Sequence, residues 1–566
     1  MRFRPLCCAA LSLISLPCDL HAQANAARAG DDLLGLWGGE PVFGPQVRGE
    51  LLLDRHGRRW IARVAGFEAM ADQVGDSVVV TLPGGQGTLK AWVGDTNAPL
   101  GFWIQPAAFD NPPYATPVHF RLAGNATWRG TVRPLDHRFP LYLSVSRDST
   151  GGLRGVFRNP AANWPGRGGW YRLERDGDNI AVINQRTGKV QWRQAYDSAQ
   201  RTITFDFGGP FTLGPRSLEQ AVGFVPRSPS LSLYDYRRPV MRPDGWRTAN
   251  ASVVSVDTLA LRSIVRKIIS TDPFDERAPR IHSLLVARRG RLVLDEYFTG
   301  YGPDQVHDLR SASKTITSIM AGVAMRRTRS FDMATTVGST PVTVGQLLTH
   351  TSGLACDDDD DASPGNEDRM QSEHATSDWY QFFMALPRVH PPGTTYAYCS
   401  AGINMVGRVI GTAARSWLPA FFDRRLAQPL QITGYAMNLM PNGEAYSGGG
   451  VHMTPRDFLK FGQLYLAGGI WKGVRLVDAS WVTQSTAHQV DRPDSSDDGF
   501  GWHRHRLTAG SRTFQTYEAG GNGGQFLVVI PELDLTIVVT AGNYGQYNVW
   551  RKIREELIPS VMAAAR

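Results

Sequence analysis

Ser311-Ala312-Ser313-Lys314 is the most informative stretch of this sequence, because it places a hydroxyl group and a primary amine three residues apart. On a helix, that spacing puts both side chains on the same face. The residues from Thr315 to Met325 carry apolar side chains at helical spacing, which predicts that the pair lies on the first turn of a buried helix. Burial there is expected to lower the pKa of Lys314 toward a neutral amine, which can take a proton from Ser311.

A serine and a lysine at this spacing also occur together by chance in long chains, so the pair needs support from the rest of the sequence. Lysine is scarce here, and only Lys314 has a serine three residues upstream. Four more motifs follow it along the chain: Gly345-Gln346-Leu347-Leu348-Thr349-His350-Thr351-Ser352-Gly353-Leu354, Pro392-Gly393-Thr394-Thr395-Tyr396-Ala397-Tyr398-Cys399-Ser400, Met453-Thr454-Pro455-Arg456-Asp457-Phe458-Leu459 and Ala519-Gly520-Gly521-Asn522-Gly523-Gly524-Gln525.

Taken in this order, the motifs resemble those of the serine beta-lactamase-like hydrolases of the class C beta-lactamase and penicillin-binding-protein type. That family also includes esterases, D-amino-acid peptidases and hydrolases of amide oligomers. The resemblance covers the chain from about Trp246 to the C-terminus. It implies a C-terminal serine beta-lactamase-like domain, in which an antiparallel sheet is flanked by helices and accompanied by a helical subdomain. The family's reaction needs no cofactor, and none is expected.

The resemblance also implies roles for individual side chains. Tyr398 matches the family's phenol that faces the nucleophile, so Lys314 and Tyr398 are expected to share the proton that leaves Ser311. Ser400 ends the same loop, and two interpretations of it remain open. It either forms a hydrogen bond with Lys314 or completes a turn.

The segment from Ala519 to Gln525 matches the family's active-site strand, whose glycine-rich edge lets a substrate approach the backbone closely. By this resemblance, the backbone N–H groups of Ser311 and Asn522 form the oxyanion hole, and Gly521 supports it. In the family the strand begins with Lys-Thr-Gly or His-x-Gly, but Ala519 occupies the first position here. The missing cation argues against recognition of beta-lactams or of D-alanyl-D-alanine, while the acyl-transfer residues remain.

These residues predict a serine hydrolase that cleaves a small-molecule ester or amide through an acyl-enzyme on Ser311. Two alternatives stay open: a ligand-binding or sensor protein that uses the same fold without turnover, and a cell-wall D-peptidase or beta-lactamase. A Ser-His-Asp triad would need His350 or His452. The first is interpreted as a residue that holds a loop by hydrogen bonds, and the second precedes a helix cap. The sequence identifies neither the substrate nor the oligomeric state.

The N-terminus has the three parts of a secretory signal peptide. Basic residues are followed by a short apolar stretch from Leu6 to Leu16 and by an Ala-x-Ala exit that ends at Ala24. Residues 1–24 are therefore predicted to be removed on export, which indicates a periplasmic or secreted protein. The apolar stretch is too short to cross a bilayer comfortably and no other stretch reaches its length, so no transmembrane segment is expected.

The charge of the chain points to no particular partner. The formal net charge is +8, but the arginines are scattered along the sequence rather than clustered. The sequence also has no nucleic-acid-binding motif, so no nucleic-acid partner is expected.

Outside the signal peptide the chain has two cysteines, Cys356 and Cys399, and each lies beside one of the motifs. In an oxidising compartment they could form a disulfide that braces the loop of Tyr398. The alternative is a pair of buried free thiols. The sequence does not decide between the two, because it does not show the distance between the cysteines.

Asp357 to Asp361 is a run of carboxylates, and Glu367 and Asp368 follow it. Adjacent carboxylates repel one another, so they need solvent, arginines or a cation. The spacing is not that of an EF-hand. A solvated loop is therefore favoured over a calcium site, and no metal site is predicted.

Residues 25–225 alternate apolar and polar side chains in short runs bounded by Gly, Asn, Asp and Pro, which predicts antiparallel strands. This region is interpreted as one all-β domain of unknown role, a barrel or a sandwich. Its tryptophans are expected in the core rather than in a sugar or lipid groove. Residues 226–248 are interpreted as a linker and residues 249–566 as the hydrolase domain, so the whole chain is of the α+β class.

Overall fold

The computed structural model describes residues 30–565, apart from residues 42, 44–46, 95–98, 109–111, 137, 164–168, 207–208 and 375–376. The predicted signal peptide, residues 1–24, lies outside the described residues. Within the described part of the chain, no helix combines the length and the apolar character that crossing a membrane requires.

The N-terminal region is all-β, as the alternating pattern predicts. Its strands are β1 (Gly35–Gly39), β2 (Gly49–His56), β3 (Arg59–Val64), β4 (Phe67–Asp72), β5 (Ser77–Thr81), β6 (Thr88–Trp92), β7 (Leu100–Gln105), β8 (Tyr114–His119), β9 (Arg121–Gly124), β10 (Thr127–Val132), β11 (Leu141–Arg147), β12 (Leu153–Arg158), β13 (Trp170–Asp176), β14 (Asn179–Asn184), β15 (Val190–Asp197), β16 (Thr202–Asp206) and β17 (Pro210–Arg216).

Most of the buried side chains of these strands lie in two hydrophobic cores. β1 and β11–β17 form a closed barrel, because β1 pairs with β11 on one side and with β17 on the other. The chain between β1 and β11 instead builds a second core between two sheets. Trp37 lies in the barrel core, and Trp60, Trp103 and Trp128 lie in the second core, which confirms the core role expected of these tryptophans.

The C-terminal region mixes strands and helices. Its strands are β18 (Arg247–Thr248), β19 (Ile281–Arg288), β20 (Arg291–Tyr297), β21 (His307–Asp308), β22 (Tyr435–Asn438), β23 (Val451–Met453), β24 (Ile470–Trp471), β25 (Val474–Arg475), β26 (Val490–Asp491), β27 (Asp497–Asp498), β28 (His503–Ala509), β29 (Arg512–Gly521), β30 (Gln525–Ile530) and β31 (Leu535–Ala541).

The helices also lie in this region. They are α1 (Thr258–Ile269), α2 (Ser313–Arg327), α3 (Val344–Leu348), α4 (Glu367–Glu373), α5 (Trp379–Ala385), α6 (Ser400–Ala414), α7 (Leu418–Phe422), α8 (Gln428–Leu430), α9 (Pro455–Leu466), α10 (Ala479–Thr486), α11 (Tyr547–Lys552) and α12 (Ile558–Ala564). A 3-10 turn at Arg310–Ala312 precedes α2, and π-helical turns occupy Asp423–Ala427 and Ile553–Leu557.

A nine-stranded sheet forms the centre of the C-terminal domain, in the order β18-β20-β19-β31-β30-β29-β28-β27-β26. Residues of α1 and α12 share one core with apolar side chains of this sheet. Residues of α2, α6 and α9 share a larger core with the side chains that the sheet presents to its other face. The domain is therefore an antiparallel sheet covered by helices, as the family resemblance implies.

Local signals in the sequence predict several of these elements correctly. Asp257 caps α1 by accepting a hydrogen bond from the N–H of Leu259 at 2.9 Å. Thr454 caps α9 by accepting from the N–H of Asp457, and Pro455 takes the first helical position. A tight turn at Arg289-Gly290 joins β19 to β20.

One sheet joins the N-terminal region to the C-terminal domain. Its seven strands run in the order β21-β23-β22-β8-β7-β6-β5, so β8 pairs with β22 from the distant part of the chain. Met437 lies opposite Ala115, and Asn438 lies opposite Tyr114. Phe102 of β7 is fully buried in the larger core of the C-terminal domain. The two regions therefore share backbone hydrogen bonds as well as side-chain packing.

The predicted linker, residues 226–248, packs against the C-terminal domain instead of running free between two units. Tyr234 is buried in the core beneath α1 and α12. The indole N–H of Trp246 donates a hydrogen bond to the carbonyl oxygen of Arg456 at 2.9 Å.

α2 is buried on all sides along most of its length, as expected of a helix at the centre of a large domain. Its tightest contact is at Gly322, where Trp481 of α10 packs directly on the backbone. A Cβ atom at position 322 would lie 2.0 Å from Cδ1 of Trp481. Only glycine leaves room for that ring.

Gly322→Ala is expected to lower the free energy of unfolding by about 1–3 kcal/mol, the usual cost of overpacking a core. Without the clash, alanine would stabilise the helix by about 1 kcal/mol because its helix propensity is higher than that of glycine. A lower free energy of unfolding in the variant therefore shows that the clash with Trp481 outweighs this gain. Urea unfolding measures it. Gly302→Ala is the control, because a Cβ at position 302 meets no atom within 4 Å. An alanine variant at 322 as stable as wild type would contradict the packing argument.

Candidate active site

Ser311 lies in the 3-10 turn that leads into α2, so the sequence correctly places it at the start of a buried helix. The residue before it, Arg310, has a left-handed backbone conformation with φ of 49°, which is uncommon for a residue other than glycine. Asp308 holds this conformation in two ways. Its Oδ1 accepts from the N–H of Arg310 at 2.9 Å, and its Oδ2 lies 2.8 Å from Nε of the guanidinium group.

Lys314 contacts the hydroxyl group of Ser311. Its Nζ lies 3.0 Å from Oγ of Ser311 and donates a second hydrogen bond to the carbonyl oxygen of Gly448 at 2.7 Å. The ring of Tyr398 lies 4.7 Å from Nζ. The structure therefore brings together the three side chains that the sequence analysis selects, although they come from separate segments of the chain.

The charge of Lys314 differs from the sequence-based expectation of a neutral amine. Burial by itself lowers the pKa of Lys314, but Tyr398, Glu367 and Asp358 all act in the opposite direction, and the net effect raises the pKa above its usual value. This direction is the opposite of the one expected from burial alone, because Asp358 and Glu367 lie beside the amine only in the folded chain.

Asp358 and Glu367 form a small network with Ser400 beside Lys314. The N–H of Ser400 donates to Oδ2 of Asp358 at 2.8 Å, and the hydroxyl group of Ser400 donates to Oε2 of Glu367 at 3.1 Å. Oδ1 of Asp358 accepts from the N–H of Glu367 at 2.9 Å. Ser400 thus begins α6 and binds a carboxylate, which is neither of the two roles expected for it.

The same network corrects the expectation of a uniformly solvated acidic loop. Asp359, Asp360 and Asp361 are exposed, but Asp358 serves as an internal hydrogen-bond acceptor and burial raises its pKa. Burial, together with the charge of Asp358, raises the pKa of Glu367 to about 7 despite the opposing effect of the nearby ammonium group. The only feature of the sequence that pointed to these carboxylates was the position of the acidic run beside the motifs.

His350 holds the Tyr398 loop in place, as the sequence analysis predicts. Its Nδ1 accepts from the N–H of Cys399 at 3.1 Å, and its carbonyl oxygen accepts from the N–H of Ala397 at 2.8 Å. Burial and the charge of Lys314 lower the pKa of His350 to about 3. The neutral ring lies 4.5 Å from the ring of Tyr398, so it supports that ring from one side.

A disulfide joins Cys356 to Cys399, one of the two alternatives that the sequence left open. Its Cα atoms are 5.4 Å apart, and the bond spans 43 residues of sequence. It ties the acidic loop containing Asp358 to the loop that carries Tyr398. The disulfide and His350 therefore both hold the loop that carries Tyr398.

The glycine-rich end of β29 packs against the turn that contains Ser311. A Cβ atom at Gly521 would lie 2.3 Å from the carbonyl oxygen of Leu309, so only glycine permits this approach. Asn522 follows it and lines the same cleft as Ser311. The side-chain oxygen of Asn522 accepts from the N–H of Gly545 at 2.9 Å.

Ala519 is fully buried in β29 and brings no charge to the site. A histidine, an arginine and an aspartate lie together on the neighbouring segments. His503 of β28 lies next to Gly520, because a Cβ atom at position 520 would be 3.4 Å from Cδ2 of the His503 ring. Nδ1 of His503 lies 2.8 Å from Oδ1 of Asp498. Burial raises the pKa of Asp498, but His503 and Arg492 outweigh it and lower the pKa to about 2.

Comparison with known proteins agrees with this geometry. Residues 276–550 match the family model described as Beta-lactamase. The C-terminal domain belongs to the beta-lactamase family. A 6-aminohexanoate-dimer hydrolase of Paenarthrobacter ureafaciens is 27% identical over 44% of this chain and 70% of its own length. Penicillin-binding protein 4 of Amycolatopsis lactamdurans is 35% identical over 16% of this chain and 22% of its own length.

Two solved structures are also similar to this chain. A penicillin binding protein from Bacillus halodurans matches with a TM-score of 0.40 and 17% identity, covering 49% of this chain and 96% of that protein. A D-stereospecific amidohydrolase from Streptomyces sp. matches with a TM-score of 0.38 and 18% identity, covering 49% of this chain and 94% of that protein. A large additional region precedes the part of the chain that matches the family model.

Two histidines are buried behind the Ser311 turn of the beta-lactamase-family domain. Nδ1 of His282 lies 2.8 Å from Nε2 of His307, and Nδ1 of His307 lies 3.0 Å from the carbonyl oxygen of Asp308. Because a carbonyl oxygen only accepts, Nδ1 of His307 carries a proton and its Nε2 accepts from His282. Burial lowers the pKa of His307 to about 4 and holds the pKa of His282 well below its usual value.

Acid is therefore expected to destabilise the fold through this pair. Between pH 6.5, the usual histidine pKa, and about 4, the unfolded chain binds protons that the folded protein does not, so stability falls as the pH falls. Each histidine should contribute about 2 kcal/mol to the loss between pH 7 and pH 5. Urea unfolding at the two pH values measures it. His307→Gln should reduce the change in the free energy of unfolding between the two pH values. The control His56→Gln, at an exposed position, should leave that change as in wild type. An equal change in the two variants would refute the assignment.

Loss of the disulfide between Cys356 and Cys399 should lower the stability of the protein. Replacing Cys356 and Cys399 together by serine is expected to lower the free energy of unfolding by about 2–4 kcal/mol, because the unfolded chain gains freedom. Treating wild type with a reductant should reproduce this loss, whereas the double variant should not respond to reductant. Mass spectrometry of purified protein checks the bond itself, and free thiols at both positions in native protein would overturn it.

Proposed function

We propose that this protein is an exported serine hydrolase that cleaves an ester or an amide through an acyl-enzyme on Ser311. The observation that carries the proposal is the 3.0 Å contact between Nζ of Lys314 and Oγ of Ser311, with Tyr398 beside it and an open cleft in front. The membership of the domain in a family of hydrolases supports the reaction class. Export rests on the signal peptide that the sequence predicts.

The charge of Lys314 decides which group takes the proton from Ser311. An ammonium group has no lone pair, so in the free protein it donates to Oγ of Ser311 and stabilises negative charge nearby. To accept the serine proton, the oxygen of Tyr398 must first be a phenolate, which the charge of Lys314 stabilises; taking the proton turns Tyr398 into a neutral phenol. Tyr398 later returns the proton to the leaving alcohol or amine.

The attack of Oγ on the carbonyl carbon moves the C=O electron pair onto oxygen. Backbone N–H groups of Ser311 and Asn522 are proposed to bind that oxyanion, each contributing about 3 kcal/mol to transition-state stabilisation. The close packing of Gly521 on the Ser311 turn supports this pairing. Collapse of the tetrahedral species expels the leaving group, and water then hydrolyses the acyl-enzyme.

The substrate is proposed to be an amide or an ester rather than a beta-lactam. The similarity to a 6-aminohexanoate-dimer hydrolase supports an amide substrate. The absence of a cation at Ala519 argues against the penicillin-type mode of carboxylate binding. A sensor protein that is acylated once and never turns over stays the second candidate, and only repeated product release separates it from an enzyme.

Ser311→Ala is expected to abolish covalent labelling by a fluorophosphonate and to abolish hydrolysis of a chromogenic short-chain ester. Lys314→Ala should lower kcat by about 10²–10⁴, the usual contribution of a proton-transfer group. The controls are Ser372→Ala and Lys472→Ala, whose side chains are exposed. Labelling that persists in Ser311→Ala would disprove the nucleophile. Labelling of wild type without multiple turnovers would favour the sensor.

A further inference from the structure

The cleft in front of Ser311 is much larger than one small acyl group requires. Its volume is about 2390 Å³, whereas ligand pockets usually measure about 300–1,000 Å³. The C-terminal domain contributes Ser311, Glu367 and Asn522 to one end. Much of the remaining wall comes from the N-terminal region, which has no role in the proposed chemistry.

β8 leads from the catalytic end of the cleft to its far end. At the beginning of β8, the ring of Tyr114 lies 5.2 Å from the ring of His452. His452 of β23 lies opposite Asp308 of β21, which precedes the turn that contains Ser311. At the end of β8, His119 also lines the cleft. A strand rises about 3.4 Å per residue, so the two ends of β8 are about 17 Å apart.

Arginine side chains line the part of the cleft wall that the N-terminal region contributes. Arg121 of β9 lies directly opposite Arg129 of β10, and Arg133 follows directly after the end of β10. All three are exposed and line the cleft, as does Arg138. These four residues form what we call the arginine wall.

The arginine wall has more positive charge than its neighbours neutralise. Arg129 forms an exposed ion pair with Glu50 at 3.0 Å, and Arg138 lies 3.9 Å from Asp136. Arg121 and Arg133 form no ion pair with any residue that the structure describes. Like charges placed directly opposite each other on a sheet destabilise it, so the arrangement favours the binding of an external anion.

Among the described carboxylates that line the cleft, Asp136 lies near Arg138 and is also paired with Arg48. Glu367 and Asp368 line the end next to Ser311, and Asp304 is paired with Arg242. Carboxylates therefore lie beside Ser311, and a group of arginines lies on the wall from the N-terminal region. Guanidinium groups bind carboxylates and phosphates through paired hydrogen bonds, which gives both affinity and orientation.

We propose that the arginine wall binds an anionic group, a carboxylate or a phosphate, at the far end of a long substrate whose ester or amide bond lies at Ser311. The N-terminal region is then a substrate-binding wall that selects acyl compounds with a negative charge away from the scissile carbonyl. This inference rests on the proposed hydrolase function, because it assigns the far part of the same substrate.

The test compares nitrophenyl esters that share one reacting group. Four probes suffice: a short neutral ester, and three long-chain esters that end in a carboxylate, a phosphate or a methyl-capped carboxylate. In the double variant Arg121→Gln/Arg133→Gln, KM for the charged long esters should rise about tenfold, while kcat stays unchanged because the wall does not touch the reacting atoms. KM for the neutral esters should not change, and Arg186→Gln, an exposed arginine outside the cleft, should behave as wild type.

Ionic strength provides a second readout. Added salt should raise KM of wild type for the charged esters and should have a smaller effect on the double variant, since screening removes the same attraction. If added salt changes KM equally for the capped and the charged esters, or changes it for neither, the arginine wall is not an anion site. A preference between the carboxylate and phosphate probes identifies which anion the site takes.

Failure of the proposed hydrolase function has a different signature from failure of the arginine wall. If wild type hydrolyses none of the esters, the proposed function fails. Binding of a fluorescent carboxylate-ended amide chain to Ser311→Ala protein, with and without the two arginine substitutions, then tests the wall alone. Loss of binding on substitution supports the wall, and unchanged binding refutes it. Equal thermal midpoints of the variants confirm that the fold is intact.

Discussion

The arrangement of the active site depends on the burial of a single cation. Moving an ammonium group out of water costs several kcal/mol unless opposite charges and hydrogen-bond acceptors surround it. Lys314 is 4% exposed, and it is compensated by the carbonyl oxygen of Gly448, by Tyr398 and by the carboxylates of Asp358 and Glu367. These groups come from separate loops. The disulfide and the buried histidine that hold the loops together are therefore part of the support for the reactive lysine.

The second constraint is the sheet shared between the two regions of the chain. Because β8 pairs with β22, the N-terminal region cannot move as an independent unit without breaking backbone hydrogen bonds. The pairing therefore holds the N-terminal wall of the cleft, which includes the arginine wall, against the domain that carries Ser311. A binding surface attached in this way can select substrates by length as well as by charge.

Much of the fold is accessible from local patterns, because those patterns describe contacts between residues close in sequence. The helical spacing after Ser311 predicts α2, capping residues predict α1 and α9, and alternation predicts strands in the N-terminal region. Strand pairing between distant segments leaves no local signal. The second core between β1 and β11, and the sheet that unites β8 with β22, are consequently absent from the sequence-based description.

The sequence by itself determined the chemical types and the order of the motifs: a serine three residues before a lysine, a tyrosine loop and a glycine-rich strand. The tertiary structure decided the charge state of Lys314, because a pKa reflects every nearby charge and the carboxylates of Asp358 and Glu367 reach the amine only after folding. It also decided that Cys356 and Cys399 are bonded and that the arginine wall faces the cleft. Such relations are distances in space, and the order of residues along the chain does not contain them.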